Sequence, residues 1–256
     1  MSTTPRLRLG DTEVARIGLG TNRLNSKPEH VAFVKQAVAA GVDLIDTAHT
    51  YTGGGSEAAI AAALSPIPEG LVVATKGGFA PGHGRPEVLR SQIEESLRRL
   101  RTDSIPLYYL HRVDPRTPLE ESLGAIREYR DSGKIRHVGL SQVGIQQIER
   151  ARQLVPVAAV QNHYNLSERR YEDVVDHCAR EGIVFVPYFP LHGGGRALAE
   201  IAGRRGATPA QVALAWLLRR SPAMLPIPGT RSLEHLKENL AALEIELSEA
   251  EFQALR

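Results

Sequence analysis

The chain has 256 residues, 42% hydrophobic and 23% charged, with 31 lysines and arginines against 29 aspartates and glutamates and a formal charge of +2. That length suits a single domain, 1–256, with one large core, and the absence of a concentrated basic footprint argues against nucleic acid as a partner. The lone cysteine, Cys178, excludes an intramolecular disulfide framework and a multi-cysteine metal site; its place beside Tyr171, Val174 and Val175 in a helical stretch reads as core packing.

From the N-terminus, Met1 to Gly10 carries no apolar leader, and no apolar run approaches the roughly 18 residues of a membrane span, so a cytoplasmic location away from the membrane is expected. Leu7-Arg8-Leu9 and Val14-Ala15-Arg16 flank the turn-like pair Gly10-Asp11, which predicts a short hairpin. Eight strand-like segments follow: Ile17 to Gly20, Asp43 to Ile45, Leu71 to Ala74, Leu107 to Leu110, Val138 to Leu140, Val157 to Val160, Ile183 to Val186, and Met224 to Ile227. Helical repeats alternate with them, such as Leu89, Ile93, Leu97 and Leu100, or Leu119, Leu123 and Ile126. Glu94, Glu95, Arg98 and Arg99 read as a solvated helix face.

Ser26 before Pro28 and Thr208 before Pro209 look like helix starts, and Gly41, Gly133 and Gly182 like helix ends. The βα order implies a parallel sheet. Eight units in this length favour a closed (β/α)8 barrel, with the hairpin closing its N-terminal end. No G-x-G-x-x-G follows the first strand, and Gly53-Gly54-Gly55 lacks that spacing, which argues against an open dinucleotide fold.

Polar residues stand at successive strand ends: Asp46, Lys76, His111, Ser141, Gln161 and Tyr188. In a barrel these ends converge on one mouth, where active sites form. Singly, Asp46 could cap a segment, Lys76 could be solvated and His111 could be a satisfied core imidazole. Jointly they point to a site. Tyr51, in the loop after Asp46, becomes a usable proton donor when a cation lowers its ordinary pKa near 10, and Lys76 could be that cation. A buried lysine needs a carboxylate to stay charged, which is the role open to Asp46. His111 could donate a hydrogen bond to a substrate carbonyl.

Gly18-Leu19-Gly20-Thr21, Asp46-Thr47-Ala48-His49-Thr50-Tyr51, Thr75-Lys76-Gly77, Leu110-His111, Gly139-Leu140-Ser141, Gln161 to Asn165 and Ile227-Pro228-Gly229-Thr230 follow one another in an order that resembles the aldo-keto reductases across nearly the whole chain. The resemblance implies a catalytic tetrad of Asp46, Tyr51, Lys76 and His111 that reduces a small aldehyde or ketone with NADPH, without a metal. It implies a nicotinamide against Tyr188, its carboxamide held by Ser141, Gln142 and Gln161, with Gly20, Thr21, Asn22 and Asp46 bordering it. Phe189, Pro190, Leu191 and Ile227 complete that wall.

The diphosphate end would lie at Gly229, Thr230 and Arg231, where a helix beginning near Ser232 offers free N–H groups. Arg231 would meet the 2′-phosphate and favour NADPH over NADH. His235 stands where relatives carry another basic residue, and Glu238 and Asn239 match adenine contacts. Gln142 departs from the family's usual Asn. The short segment Pro81 to Gly84 and the few residues after the last helical stretch predict an open, weakly discriminating pocket. A monomer is expected. Two other readings stay open: an NADP-binding, redox-sensing subunit with incidental turnover, and a barrel lyase or isomerase using Lys76 as a Schiff base.

Overall fold

The structure, a computed structural model, describes residues 6–256. The first five residues, part of the segment read as lacking a leader, lie outside it. A hairpin of β1 (Arg6–Leu9) and β2 (Thr12–Ala15) precedes strands β3 (Leu19–Gly20), β4 (Leu44–Asp46), β5 (Val72–Gly77), β6 (Ile105–Leu110), β7 (Ile135–Ser141), β8 (Val157–His163) and β9 (Val184–Tyr188). Helices α1 (Pro28–Ala39), α2 (Gly55–Leu64), α3 (Pro86–Leu100), α4 (Leu119–Asp131), α5 (Ile145–Arg152) and α6 (Glu172–Glu181) fill the crossovers. Four more follow β9: α7 (Gly195–Arg205), α8 (Pro209–Arg220), α9 (Leu233–Ala241) and α10 (Glu249–Ala254).

Strands β3 to β9 pair in chain order, each parallel to the next. The eighth expected strand is reduced to two isolated bridges, Met224 with Phe185 and Gly229 with Gly20. Pro226 and Pro228 explain the interruption, because neither has an N–H to give to a ladder. Their carbonyls still accept from the backbone N–H of Gly18 at 3.0 Å and Gly20 at 3.2 Å, while Leu225 N–H donates to Phe185 at 2.9 Å. The sheet therefore closes into the expected barrel, with bonding in both directions toward β9 and in one direction only toward Gly18 and Gly20.

Inside the barrel, Leu44, Val72, Leu107, Tyr109, Ala159, Val186 and Leu225 pack together with Leu9 and Val14 of the hairpin. Leu9 and Val14 are fully buried, so the hairpin plugs the N-terminal end as its sequence predicts. Its two-residue turn places Gly10 at φ +60°, a conformation that a side chain resists. A second apolar layer, including Phe33, Ile60, Ile93, Ile126 and Trp216, lies between strands and helices. Cys178 belongs to it, and burial pushes its thiol up to about 12. Among the described residues no helix is long and apolar enough to cross a membrane.

Two local expectations change. Thr208 caps α8 by accepting from Gln211 N–H, but Ser26 does not cap α1: the N-cap is Lys27, whose side chain makes no capping bond. On α3, Glu94 and Arg98 are exposed as expected, whereas the Arg99 side chain is only 19% exposed and turns inward toward α2. There it meets Glu57, whose side chain is wholly buried. The charge draws the arginine out of the solvated face.

Candidate active site

The ends of β4, β5 and β6 bring Asp46, Lys76 and His111 to the mouth of the barrel, and the turn after β4 adds Tyr51. Lys76 Nζ lies 2.6 Å from Asp46 Oδ1, 2.6 Å from the Thr47 carbonyl oxygen and 3.3 Å from the Tyr51 hydroxyl. Three donor hydrogens of the ammonium thus meet three acceptors. Gln161 Nε2 donates to the other carboxylate oxygen of Asp46 at 2.8 Å. Lys76 and Asp46 are buried, so each charge depends on the other. Burial pulls the Lys76 ammonium toward losing its proton, but Asp46 and Tyr51 overcome that and hold its pKa above the ordinary value.

Tyr51 departs from expectation. Burial pushes its hydroxyl above the ordinary pKa, and the nearby Lys76 cation offsets this only in part. Tyr51 therefore holds its proton at neutral pH and surrenders it only when a strong base, such as a developing alkoxide, is presented. The His111 ring lies 6.0 Å from the Tyr51 ring, edge to face. Burial, reinforced by the charges of Lys76 and Arg112, pushes His111 down to about 2, so the ring is neutral. Its Nδ1 is buried without a partner among the described residues.

Because unfolded histidine binds a proton near pH 6.5 and folded His111 does not, the unfolded chain binds more protons below that pH. Stability attributable to this group is present above about pH 6.5 and falls by up to about 1.4 kcal/mol per pH unit below it. Urea unfolding at about pH 7 and about pH 5 should show a smaller acid loss in His111→Asn than in the parent; equal losses would refute the assignment.

Above these groups lies a cavity of about 500 Å³. Its lining includes Gly20, Thr21, Asn22, Asp46, Tyr51, His111, Ser141, Gln142, Gln161, Tyr188, Phe189, Pro190, Leu191, Ile227 and Gly229, all expected from the sequence. A second compartment of about 370 Å³ shares Gly20, Asn22, Arg23 and Gly229 with the first, and is lined further by Thr230, Arg231, Ser232 and His235. Ser232 caps α9, its side chain accepting from His235 N–H.

Glu238 and Asn239, expected at an adenine, line neither compartment. Glu238 accepts from the Thr208 hydroxyl at 2.5 Å, and Asn239 is buried on the inner face of α9. The sequence pattern did not single out Arg23, Phe79, Arg112 and His192, which also line the larger cavity. Arg112 and Phe79 lie one and three residues past strand-end residues already singled out, and that proximity was the available signal.

Gln142 and Phe189 hold left-handed backbone at φ 60° and φ 52°, as does Thr52, next to Tyr51, at φ 50°. Such residues cost on the order of 1–3 kcal/mol and persist where surroundings enforce them. Here they follow β7, β9 and the Tyr51 position, and Gln142 Nε2 contacts the Tyr188 hydroxyl. A barrel mouth carrying a buried lysine–carboxylate pair, a tyrosine hydroxyl on that lysine, and a long two-part cleft defines an oxidoreductase of the (β/α)8 class.

The sequence agrees with that class. The model of the aldo/keto reductase family matches residues 16–197 and 195–256. An uncharacterized oxidoreductase of Schizosaccharomyces pombe is 38% identical, the match covering 97% of this chain and 88% of that protein. Pyridoxine 4-dehydrogenase of Escherichia coli is 36% identical over 94% of this chain and 93% of its own length. Among solved structures, the thermostable aldo-keto reductase Tm1743, in complex with epalrestat, superposes with a TM-score of 0.90 at 36% identity, covering 98% of each chain. An aldo/keto reductase from Klebsiella pneumoniae in complex with NADP and acetate gives 0.88 at 31% identity, covering 99% of this chain and 94% of that one. The chain belongs to the aldo/keto reductase family.

Proposed function

We propose that the protein reduces aldehydes or ketones to alcohols with NADPH, with Asp46, Tyr51, Lys76 and His111 as its catalytic residues. The observation that carries this reading is Lys76, buried and charged, bonded at once to Asp46 and to the Tyr51 hydroxyl. The family match and the NADP complex of the Klebsiella relative support the choice of cofactor.

The cleft fits that cofactor in two ways. Gly20, Asn22, Arg23 and Gly229 line both compartments, so one extended ligand can run from the inner to the outer. The outer compartment pairs the N-terminus of α9 with Arg231 and His235, a donor set suited to phosphates, and the inner one offers Ser141, Gln142 and Gln161 to an amide. When bound, NADPH supplies the hydride that is added to the carbonyl carbon.

Tyr51 gives its proton to the carbonyl oxygen as negative charge develops there. The phenolate left behind is stabilised by the Lys76 ammonium, 3.3 Å from it. Asp46 keeps Lys76 charged in a site where a lone ammonium would lose its proton, and Gln161 fixes the free oxygen of Asp46. His111, neutral, donates an N–H to the substrate oxygen without competing for the proton.

Titrating the protein with NADPH while following cofactor fluorescence, then adding small aldehydes while following cofactor absorbance, tests the reading. Absence of NADPH binding would overturn it. Arg231→Ala should weaken NADPH binding by about 10- to 100-fold, the loss of a charge-assisted contact of about 1.5–3 kcal/mol, while NADH binding changes little. Equal weakening for both cofactors would remove Arg231 from 2′-phosphate recognition.

A further inference from the structure

Arg112 follows His111 at the end of β6 and lines the catalytic cavity. Its guanidinium lies 4.4 Å over the ring of Phe79, and that ring lies 4.8 Å from the His111 ring. The stack holds the planar cation in place beside the group that meets the substrate carbonyl. Nearby carboxylates are already occupied. Asp46 is held by Lys76 and Gln161; Asp114 accepts from the backbone N–H groups of Gly84 and Arg116 and from the Thr117 hydroxyl. Among the described residues, Arg112 has no carboxylate within ion-pair reach.

The cavity lining as a whole is short of negative charge. Arg23 and Arg112 face it with Asp46 as the single carboxylate, and Asp46 is matched by Lys76. Among the described residues, the exposed large apolar side chains are Phe79, at 39%, and Phe189, at 46%, and both belong to this cavity. An apolar wall with an unmatched guanidinium selects for a ligand with an apolar body and an oxyanion.

We propose that the preferred substrates are carbonyl compounds that carry a carboxylate or phosphate on an aromatic or similarly flat body, and that Arg112, stacked on Phe79, binds that anion. This rests on the carbonyl-reductase reading above. Arg112 acts by holding the substrate, so its contribution appears as a preference between substrates. A guanidinium in a cleft also draws anions from solution, and that attraction weakens with salt.

The test compares kcat/KM for benzaldehyde, 4-carboxybenzaldehyde and 4-formylphenyl phosphate, with NADPH saturating, in the parent, Arg112→Met and Arg112→Lys. The parent should prefer an anionic aldehyde over benzaldehyde by about 10-fold or more, a ratio matching one charge-assisted contact. Arg112→Met should lose most of that ratio, Arg112→Lys should keep part of it, and added salt should lower it in the parent and in Arg112→Lys but not in Arg112→Met. Which of the two anions gains more identifies the group bound. A parent ratio near one, or an Arg112→Met loss equal for all three aldehydes, would overturn the assignment of Arg112 while leaving carbonyl reduction standing. No reduction of any aldehyde by an enzyme that binds NADPH would overturn the carbonyl-reductase reading, and this inference with it.

Discussion

Tyr51→Phe should lower kcat for aldehyde reduction by about 100- to 10,000-fold, the span associated with loss of a positioned general acid, while NADPH affinity stays within about threefold. The substitution keeps the ring, its edge contact with His111 and its place under the Lys76 ammonium, 4.8 Å from the ring centroid. Only the hydroxyl is removed, and with it one of three acceptors around Lys76. The Lys76–Asp46 pair survives, so the buried charges remain compensated and the fold should hold. Because the proton is needed only as the carbonyl oxygen becomes basic, kcat and kcat/KM should fall together with little change in KM. Lys76→Met is a poorer probe, since it strips Asp46 of its partner and confuses lost chemistry with lost stability. Stopped-flow measurement of cofactor oxidation in single turnovers, beside a cofactor-binding titration, separates the two effects. A Tyr51→Phe enzyme with near-parental kcat would remove Tyr51 from proton transfer.

Tyr51 was legible in the sequence because its partners occupy equivalent positions: Asp46, Lys76 and His111 lie at the ends of consecutive strands, and parallel strands in register bring such ends together. Local pattern also revealed the hairpin, whose Gly10-Asp11 pair forces a tight turn whatever surrounds it. The eighth strand was only half legible. Met224 to Ile227 is apolar enough to read as a strand, but on the side facing Gly18 and Gly20, which arrive from far away in the chain, Pro226 and Pro228 can only accept hydrogen bonds. The balance of forces on Tyr51 was not legible at all, because burial depends on every neighbour and here exceeds the pull of one cation. Arg99 failed for a related reason: helical spacing assigns a face, but Glu57, buried on another helix, decides which way a long side chain turns.

That Glu57–Arg99 pair leads to the largest expected loss of stability. Arg99→Met should destabilise the fold by about 3–5 kcal/mol, the cost of leaving one partner of a buried pair uncompensated. Glu57 is wholly buried, with the Thr75 hydroxyl donating to one carboxylate oxygen at 2.7 Å and Arg99 Nη1 lying 3.4 Å from the other. Methionine approximates the arginine stem but brings no charge. Arg99 also donates to the His49 carbonyl oxygen at 2.9 Å and to Glu95 at 2.6 Å. Its guanidinium further occupies the space a Cβ at Gly54 would need, 2.3 Å from Arg99 Cζ, so it braces the turn that carries Tyr51. At roughly 2–4 °C per kcal/mol for a chain of this size, the melting temperature should fall by about 6–20 °C. Adding Glu57→Gln should restore part of the loss, because the stranded charge disappears with its partner. If Arg99→Met alone costs less than about 1 kcal/mol in urea unfolding, or if the double variant is less stable than Arg99→Met, the cost is not that of a stranded carboxylate.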